Sequence, residues 1–121
     1  MSSNALRRCI HVVDDDAIVL DSLMLLLRVM GEKAVAYPSG KTFLETAKIA
    51  APDIALFDLQ MPDLDGFALF GRFRAHHPDT PVILMTGHGN AKVEQDAMAL
   101  GFRYVLHKPF SETELKQALD A

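Results

Sequence analysis

The stretch DIALFDLQMPDLDG, residues 53–66, decides how the chain folds. Its residues 54–57 are apolar without polar alternation, a pattern typical of a strand that is buried on both faces of a parallel sheet. The run ends directly at Asp58, and a proline and an Asp-Gly pair then mark a loop before a helical pattern. Open parallel sheets carry their binding sites at the carboxyl ends of strands, so Asp58 is the first candidate functional residue.

The rest of the chain repeats this rhythm of a short apolar run followed by a helical pattern. The apolar runs are residues 10–13, 34–37, 54–57, 82–85 and 104–106. The helical patterns run from about 17 to 30, from Phe43 to before Pro52, from Phe67 to before Pro78, from Val93 to Leu100 and from about 111 to 119. This alternation predicts right-handed βαβ units and a doubly wound, flavodoxin-like α/β fold, with five helices and five parallel strands in the order 2-1-3-4-5.

Local signals indicate where several helices begin and end. Asp16 is the expected N-cap of the first helix, and Gly31 is expected to end it. Asp65 is the expected N-cap of the third helix. Ser111 and Glu114 have the spacing of a capping box at the start of the fifth helix.

Spacing within the helices also suggests apolar stripes. Ile18 joins the apolar residues that recur at helical spacing in the first helix, and Ala97 and Leu100 do so in the weakly apolar fourth helix. Gly87 and Gly89 indicate a mobile loop before that fourth helix, because glycine adopts either sign of φ.

Length and composition limit the class of protein. The chain has 121 residues, half of them apolar, a net charge of −4 and one cysteine, Cys9. It fits one domain, predicted over residues 9–121 after a loose N-terminal arm at 1–8, and no disulfide is needed. Its apolar runs fall short of the ~20 residues of a membrane span, and it has no Lys/Arg stripe. The composition predicts a cytoplasmic domain that binds neither membranes nor, by itself, nucleic acid.

Polar residues stand at the ends of four predicted strands. They are Asp14, Asp15 and Asp16 after the first strand, Asp58 after the third, Thr86 after the fourth and Lys108 after the fifth. The first and third strands are neighbours in the predicted order, so their acids should converge. Clustered carboxylates repel one another, and the available neutralisers are a divalent cation and the Lys108 ammonium.

Such a cluster suits Mg²⁺ and phosphoryl transfer. Mg²⁺ prefers oxygen ligands and shares its shell with waters and phosphate oxygens. A carboxylate beside Mg²⁺ and an ammonium is equipped to accept a phosphoryl group, because both cations stabilise charge on the transferring oxygens. Asp58 is the expected acceptor, and Thr86 could donate a hydrogen bond to the resulting aspartyl phosphate.

Four stretches together resemble the receiver domains of bacterial two-component response regulators. They are VVDDD at 12–16, DIALFDLQMPDLDG at 53–66, VILMTGHG at 82–89 and KPF at 108–110. The resemblance keeps the order and spacing of these motifs and extends from about residue 9 to the end of the chain. The TGHG portion is similar to the receivers of FixJ-type transcription regulators.

The resemblance implies a phosphorylation-activated signalling switch in a two-component phosphorelay. Asp58 would accept the phosphoryl group from a sensor histidine kinase, a phosphotransfer protein or a small acyl phosphate. Mg²⁺ would be ligated by Asp15, Asp58 and the backbone carbonyl of Gln60, with Asp14 acting largely through water. The domain would not be an enzyme beyond slow self-catalysed phosphorylation and dephosphorylation.

The resemblance also implies how the modification is reported. Lys108, expected to form a cis peptide bond with Pro109, would contact the acyl phosphate, and Thr86 would move toward it. The face formed by the fourth helix, the fifth strand and the fifth helix would then change its partner preference. Homodimerisation through that face on activation is a further expectation.

The chain departs from the family pattern at several positions. Val105 stands in the fifth strand where the family usually has Tyr or Phe, and Tyr104 must face the other side of the strand. This departure leaves the usual threonine–aromatic coupling open. Leu20 stands where the family often has Arg, at a position that bears on kinase docking. Gln60 and His88 occupy variable positions that influence the lifetime of the phosphate.

Three other functions remain open from the sequence. A phosphohydrolase working through an aspartyl phosphate would need a second carboxylate two residues after Asp58, where Gln60 stands. A flavodoxin-like cofactor binder would need hydroxyls and glycines after the first strand, where three acids stand. A degenerate receiver that only mediates contacts would lack active-site residues that this chain retains.

Overall fold

The computed structural model describes residues 8–47 and 50–121, so the predicted arm at 1–8 lies, apart from Arg8, outside the described residues. The strands are β1 Cys9–Val13, β2 Lys33–Tyr37, β3 Ile54–Asp58, β4 Val82–Thr86 and β5 Tyr104–His107. The helices are α1 Ala17–Val29, α2 Gly40–Ala47, α3 Gly66–His76, α4 Ala91–Leu100 and α5 Glu112–Asp120. Within the described ranges, no helix is long and apolar enough to cross a membrane.

The five strands form one sheet in the order β2-β1-β3-β4-β5, and every neighbouring pair is parallel. The predicted doubly wound α/β fold is therefore confirmed. The order changes direction at β1, because the chain runs outward to β2 and then returns across β1 to form β3. Open α/β sheets bind ligands in the crevice outside the carboxyl ends of the strands at such a switch point. The ends of β1 and β3 thus lie side by side at the ligand-binding edge.

The sheet divides the interior into two apolar clusters. One cluster lies against α1 and α5 and includes Val12, Leu56 and Leu115. The other lies against α2, α3 and α4 and includes Phe57 and Phe73, whose ring centroids are 5.8 Å apart. Successive strand residues point to opposite faces, so β3 and β4 supply both clusters and are buried along their whole length. A slip of one residue would exchange the two faces, and burial on both sides therefore specifies the register.

The helix caps confirm the predicted starts of α1, α3 and α5, whereas α2 and α4 begin at Gly40 and Ala91, before the predicted Phe43 and Val93. The side chains of Asp16 and Asp65 accept hydrogen bonds from backbone N–H groups in the first turns of α1 and α3. Ser111 and Glu114 form the reciprocal capping box at the start of α5. Gly31, just after α1, has a φ of +86°, a left-handed conformation that disfavours residues with a Cβ.

Two residues that the sequence assigned to the apolar faces of helices do not pack in the core. Ile18 is 79% exposed on α1, and Leu100 is 51% exposed at the last position of α4. The prediction was wrong for Ile18 because it lies about 200° around the helix from the buried Leu20, two residues later. In α4 the buried residue is Ala97, and Val93 packs against the same apolar cluster, whereas Leu100 does not. Helical spacing identified the stripes but not their edges.

Candidate functional site

Four strand ends bring the predicted site residues to one edge of the sheet. Asp14 directly follows β1, Asp58 ends β3, Thr86 ends β4, and Lys108 directly follows β5. The backbone N–H of Lys108 donates to the Thr86 carbonyl at 2.8 Å. The ladder of the sheet thus continues one residue past β5, which holds the backbone of Lys108 beside that of Thr86.

The ammonium of Lys108 is shared between two buried carboxylates. Its Nζ donates to Asp14 Oδ2 at 2.8 Å and to Asp58 Oδ1 at 3.0 Å. The Asp14 side chain is fully buried, that of Asp58 is 8% exposed, and that of Lys108 is 20% exposed. Charges so far from water are tolerated when they are paired and hydrogen-bonded, so the three side chains hold one another in place.

A third carboxylate opens this arrangement to solvent. Asp14, Asp15 and Asp58 each offer one oxygen, and these oxygens all lie within 4.8 Å of one another. Asp15 is exposed, whereas Asp14 and Asp58 are buried. Three acids against one ammonium leave the pocket negative. Oxygen ligands, excess negative charge and access to water are what Mg²⁺ requires, because it keeps several of its own waters, so the donor set fits this ion.

Burial and charge shift the pKa values of two residues in the pocket. Burial raises the pKa of Asp58 above its ordinary value, the hydrogen bond from Lys108 opposes this rise, and the charge of Asp14 adds to it. For Lys108, burial acts to lower the pKa, but hydrogen bonds to Asp14 and Asp58 outweigh it and the pKa is raised. The lysine is therefore a cation at neutral pH, whereas ionisation of Asp58 is costly. A second cation in the pocket would favour the ionised carboxylate.

Thr86 is buried beneath the loop that leads to α4. Its Oγ1 accepts a hydrogen bond from the backbone N–H of His88 at 3.2 Å. A Cβ at Gly89 would lie 2.5 Å from the His107 ring and 2.8 Å from the Thr86 methyl, whereas one at Gly87 would meet open space. Gly89 therefore allows the loop backbone to pass close to His107 and Thr86. The sequence predicted only a mobile loop here and not this close contact.

Gly66 belongs to the site, although the sequence indicated only a turn there. A Cβ at this position would lie 2.6 Å from the backbone oxygen of Asp58 and 2.9 Å from the Cα of Leu59. The N–H of Gly66 donates to the Leu59 carbonyl at 2.8 Å. Helix α3 thus begins in backbone contact with the end of β3. The Asp-Gly pair indicated a turn at Gly66. The same pair of residues also occurs where two backbone segments approach closely, so the sequence could not distinguish the two cases.

Other positions singled out in the sequence lie in the loop after β3 and along β5. Gln60 is exposed in the loop after β3, two residues past Asp58. Tyr104 and Val105 pack against opposite clusters, so valine occupies the side of β5 where an aromatic ring was expected from the resemblance. The Lys108–Pro109 peptide bond is cis, as the resemblance implied.

Known proteins resemble this chain in fold and in sequence. Residues 10–120 match the family described as response regulator receiver domain. The transcriptional regulatory protein FixJ of Bradyrhizobium diazoefficiens is 34% identical over 112 residues, which are 93% of this chain and 55% of that protein. The crystal structure of FixJ-N is 30% identical, has a TM-score of 0.85, and is matched over 93% of this chain and 90% of its own. The chemotaxis protein CheY4 of Vibrio cholerae, 24% identical, has the same fold, with a TM-score of 0.88 over 94% of this chain and 97% of its own.

These matches, together with the sheet order and the acidic strand ends, define a regulatory domain of two-component signalling. The chain belongs to the response regulator receiver domain family. Response regulators as a class work with histidine kinases and phosphotransfer proteins. The chain spans about half the length of the FixJ proteins that it matches.

Proposed function

We propose that the domain is a switch in which Asp58 accepts a phosphoryl group from a sensor histidine kinase or a phosphotransfer protein. The observation that carries the proposal is the Lys108 ammonium, 3.0 Å from Asp58 and 2.8 Å from the buried Asp14, at the switch point of the sheet. Phosphoryl transfer needs little covalent chemistry from the protein, but it needs positioned cations beside the nucleophile. Lys108 supplies one of them without any rearrangement.

Mg²⁺ is the proposed second cation. It would be held by Asp15, Asp58 and the backbone carbonyl of Gln60, with Asp14 acting largely through water. When bound, the ion neutralises charge on the phosphoryl oxygens and relieves the repulsion among the carboxylates. The clustered oxygens and the exposure of Asp15 support this assignment.

The chain's own residues have separate tasks in the transfer. A carboxylate oxygen of Asp58 attacks the phosphorus, and a P–O bond forms as the bond to the donor's imidazole nitrogen or acyl oxygen breaks. The ammonium of Lys108, oriented by Asp14, stabilises charge on the transferred oxygens. Thr86, at the end of the neighbouring strand, would donate a hydrogen bond to the acyl phosphate and so report the modification.

The residues that follow Asp58 favour a switch over an enzyme, because none of them supplies the second carboxylate that an enzyme of this type uses. A phosphohydrolase of this type needs a second carboxylate as a general acid and base, and Gln60 offers none at the expected position. Asp65 is committed as the N-cap of α3, and Asp63 is exposed to solvent. Loss of the phosphoryl group would therefore be slow self-catalysed hydrolysis.

The domain is proposed to occupy residues 9–121, after an arm at 1–8, and to act in the cytoplasm, where its kinase would phosphorylate it. Its output would be the face formed by α4, β5 and α5, which would change partner preference and support homodimerisation on activation. By itself the domain is proposed to bind neither nucleic acid nor membranes.

Mass spectrometry after incubation with acetyl phosphate and Mg²⁺ tests the proposal. We expect a mass gain of one phosphoryl group, lost when EDTA replaces Mg²⁺ and lost in Asp58→Asn. Asp63→Asn is the matched control, because it removes an exposed acid from the same loop, and it should be modified normally. A mass gain that persists in Asp58→Asn would reject the proposed acceptor, and many turnovers of a phosphate ester would favour the phosphohydrolase.

A further inference from the structure

A ring on β5 does lie beside Thr86, but it belongs to His107. Val105 and His107 are two residues apart, so their side chains point to the same face of the sheet. Val105 packs into the apolar cluster on that face, whereas His107 ends the strand with its side chain 44% exposed. In the register of β4 and β5, His107 is the direct partner of Thr86.

The His107 ring also contacts the loop and the helix that follow Thr86. Its Nε2 is hydrogen-bonded to Oε1 of Glu94, in the first turn of α4. The backbone of Gly89 lies over the same ring, since a Cβ there would be 2.5 Å from Cε1 and 2.6 Å from Nδ1. One side chain thus adjoins the strand end, the loop and α4.

We propose that His107 is the positioning residue that couples phosphorylation of Asp58 to a movement of α4. Its hydrogen bond to Glu94 would hold α4 in the position that the structure shows. The inference rests on the proposed function of Asp58. Through His107, a change at the end of β4 would reach α4 without an aromatic side chain at Val105.

The route follows from what Thr86 would have to do. The resemblance implies that Thr86 moves toward the phosphoryl group, and displacement of its Oγ1 would weaken or break the hydrogen bond that this oxygen accepts from the His88 N–H. The loop then loses an anchor, and Gly89 cannot shift without sliding over the His107 ring. Displacement of the ring strains or breaks its bond to Glu94, which frees α4.

The exposure of the pair sets the size of the expected effect. The side chains of His107 and Glu94 are 44% and 50% exposed, so the pair is weak and biases an equilibrium without locking it. Removing such a pair should change the equilibrium between two positions of α4 by about threefold. A second pair, Lys92–Asp96, lies within α4 and does not reach β5, so it offers a matched control.

The test is a titration of ¹⁵N-labelled protein with beryllofluoride, a phosphoryl mimic, in the presence of Mg²⁺. The amide resonances of Gly89 and α4 report the position of the loop and helix. We expect Glu94→Gln and His107→Gln each to lower the half-saturating concentration by about threefold. The double variant should gain no more than either single one, and Asp96→Asn should match the wild type.

Two results would overturn the inference alone: an effect of Glu94→Gln no larger than that of Asp96→Asn, or additive effects of Glu94→Gln and His107→Gln. Because Glu94 is half exposed, its variant remains informative even if a change at His107 disturbs folding. A wild-type protein that neither gains a phosphoryl group from acetyl phosphate nor binds the mimic would overturn the proposed function, and the inference with it. If acetyl phosphate modifies the protein normally but the variants do not change the half-saturating concentration of the mimic, only the role of His107 is overturned.

Discussion

The ammonium of Lys108 is held 2.8 Å from the carboxylate of Asp14, although 94 residues separate the two in the chain. Asp14 is fully buried at the end of β1, so the bond ties the loop after β5 to the centre of the sheet. It also directs the lysine toward Asp58, which receives the second hydrogen bond at 3.0 Å. Asp14 therefore orients the cation that the proposed acceptor uses.

Lys108→Gln should lower the free energy of unfolding by about 2–3 kcal/mol when Mg²⁺ is absent, because it leaves Asp14 and Asp58 buried without a cation. Urea denaturation in EDTA measures this loss, and saturating Mg²⁺ should restore part of it. Lys116→Gln removes a lysine that is 71% exposed, in a pair with Asp120, and should cost less than about 0.5 kcal/mol. Equal losses in the two variants would mean that the buried position of Lys108 is irrelevant to stability.

The raised pKa of Asp58 predicts a dependence of stability on pH. Relative to a group at the ordinary value of 3.8, the protonated carboxyl is favoured in the folded state, so its stabilisation is present at low pH and is lost as the pH rises through the raised pKa. In EDTA, Asp58→Asn should be more stable than the wild type at about pH 7, and the difference should shrink toward about pH 4. Urea denaturation of both proteins across this pH range measures the difference, and a difference that does not depend on pH would contradict the raised pKa of Asp58.

The sequence predicts correctly those features of the fold that a local pattern determines. The apolar run before Asp58 predicted a strand buried on both faces, and the alternation of strands and helices predicted the sheet order. Once that order is known, the convergence of Asp14 with Asp58 follows from the parallel strands. The residue types at the strand ends then indicate the chemistry.

The rest depends on how helices rotate and how closely backbones approach, which local patterns do not encode. The exposure of Ile18 depends on which stripe of α1 meets the sheet. The bond between His107 and Glu94 depends on where the first turn of α4 lies relative to β5. Gly66 and Gly89 resemble ordinary turn glycines until the atoms that a Cβ would meet are known.

Asp15→Asn should weaken Mg²⁺ binding by at least about tenfold, because an amide oxygen is a poorer ligand than a carboxylate for this ion. Asp15 is exposed, so the stability of the protein in EDTA should change little. The rise in melting temperature on adding Mg²⁺ should be smaller than in the wild type at the same concentration. Asp16→Asn is the control, because it removes the adjacent charge and keeps an N-cap for α1, and it should respond to Mg²⁺ as the wild type does.

Gly66→Ala should destabilise the protein by about 2 kcal/mol or more, because the added Cβ would meet backbone atoms, which cannot rotate away as a side chain can. The atoms concerned belong to Asp58 and Leu59, at 2.6 and 2.9 Å, so modification by acetyl phosphate should fall as well. Gly71→Ala is the matched control in the same helix, since its Cβ would meet nothing within 4 Å. Alanine also has the higher helix propensity, and Gly71→Ala should therefore stabilise by about 0.5–1 kcal/mol. Urea denaturation of both variants distinguishes the two effects, and a Gly66→Ala protein as stable as Gly71→Ala would contradict the close approach of α3 to the end of β3.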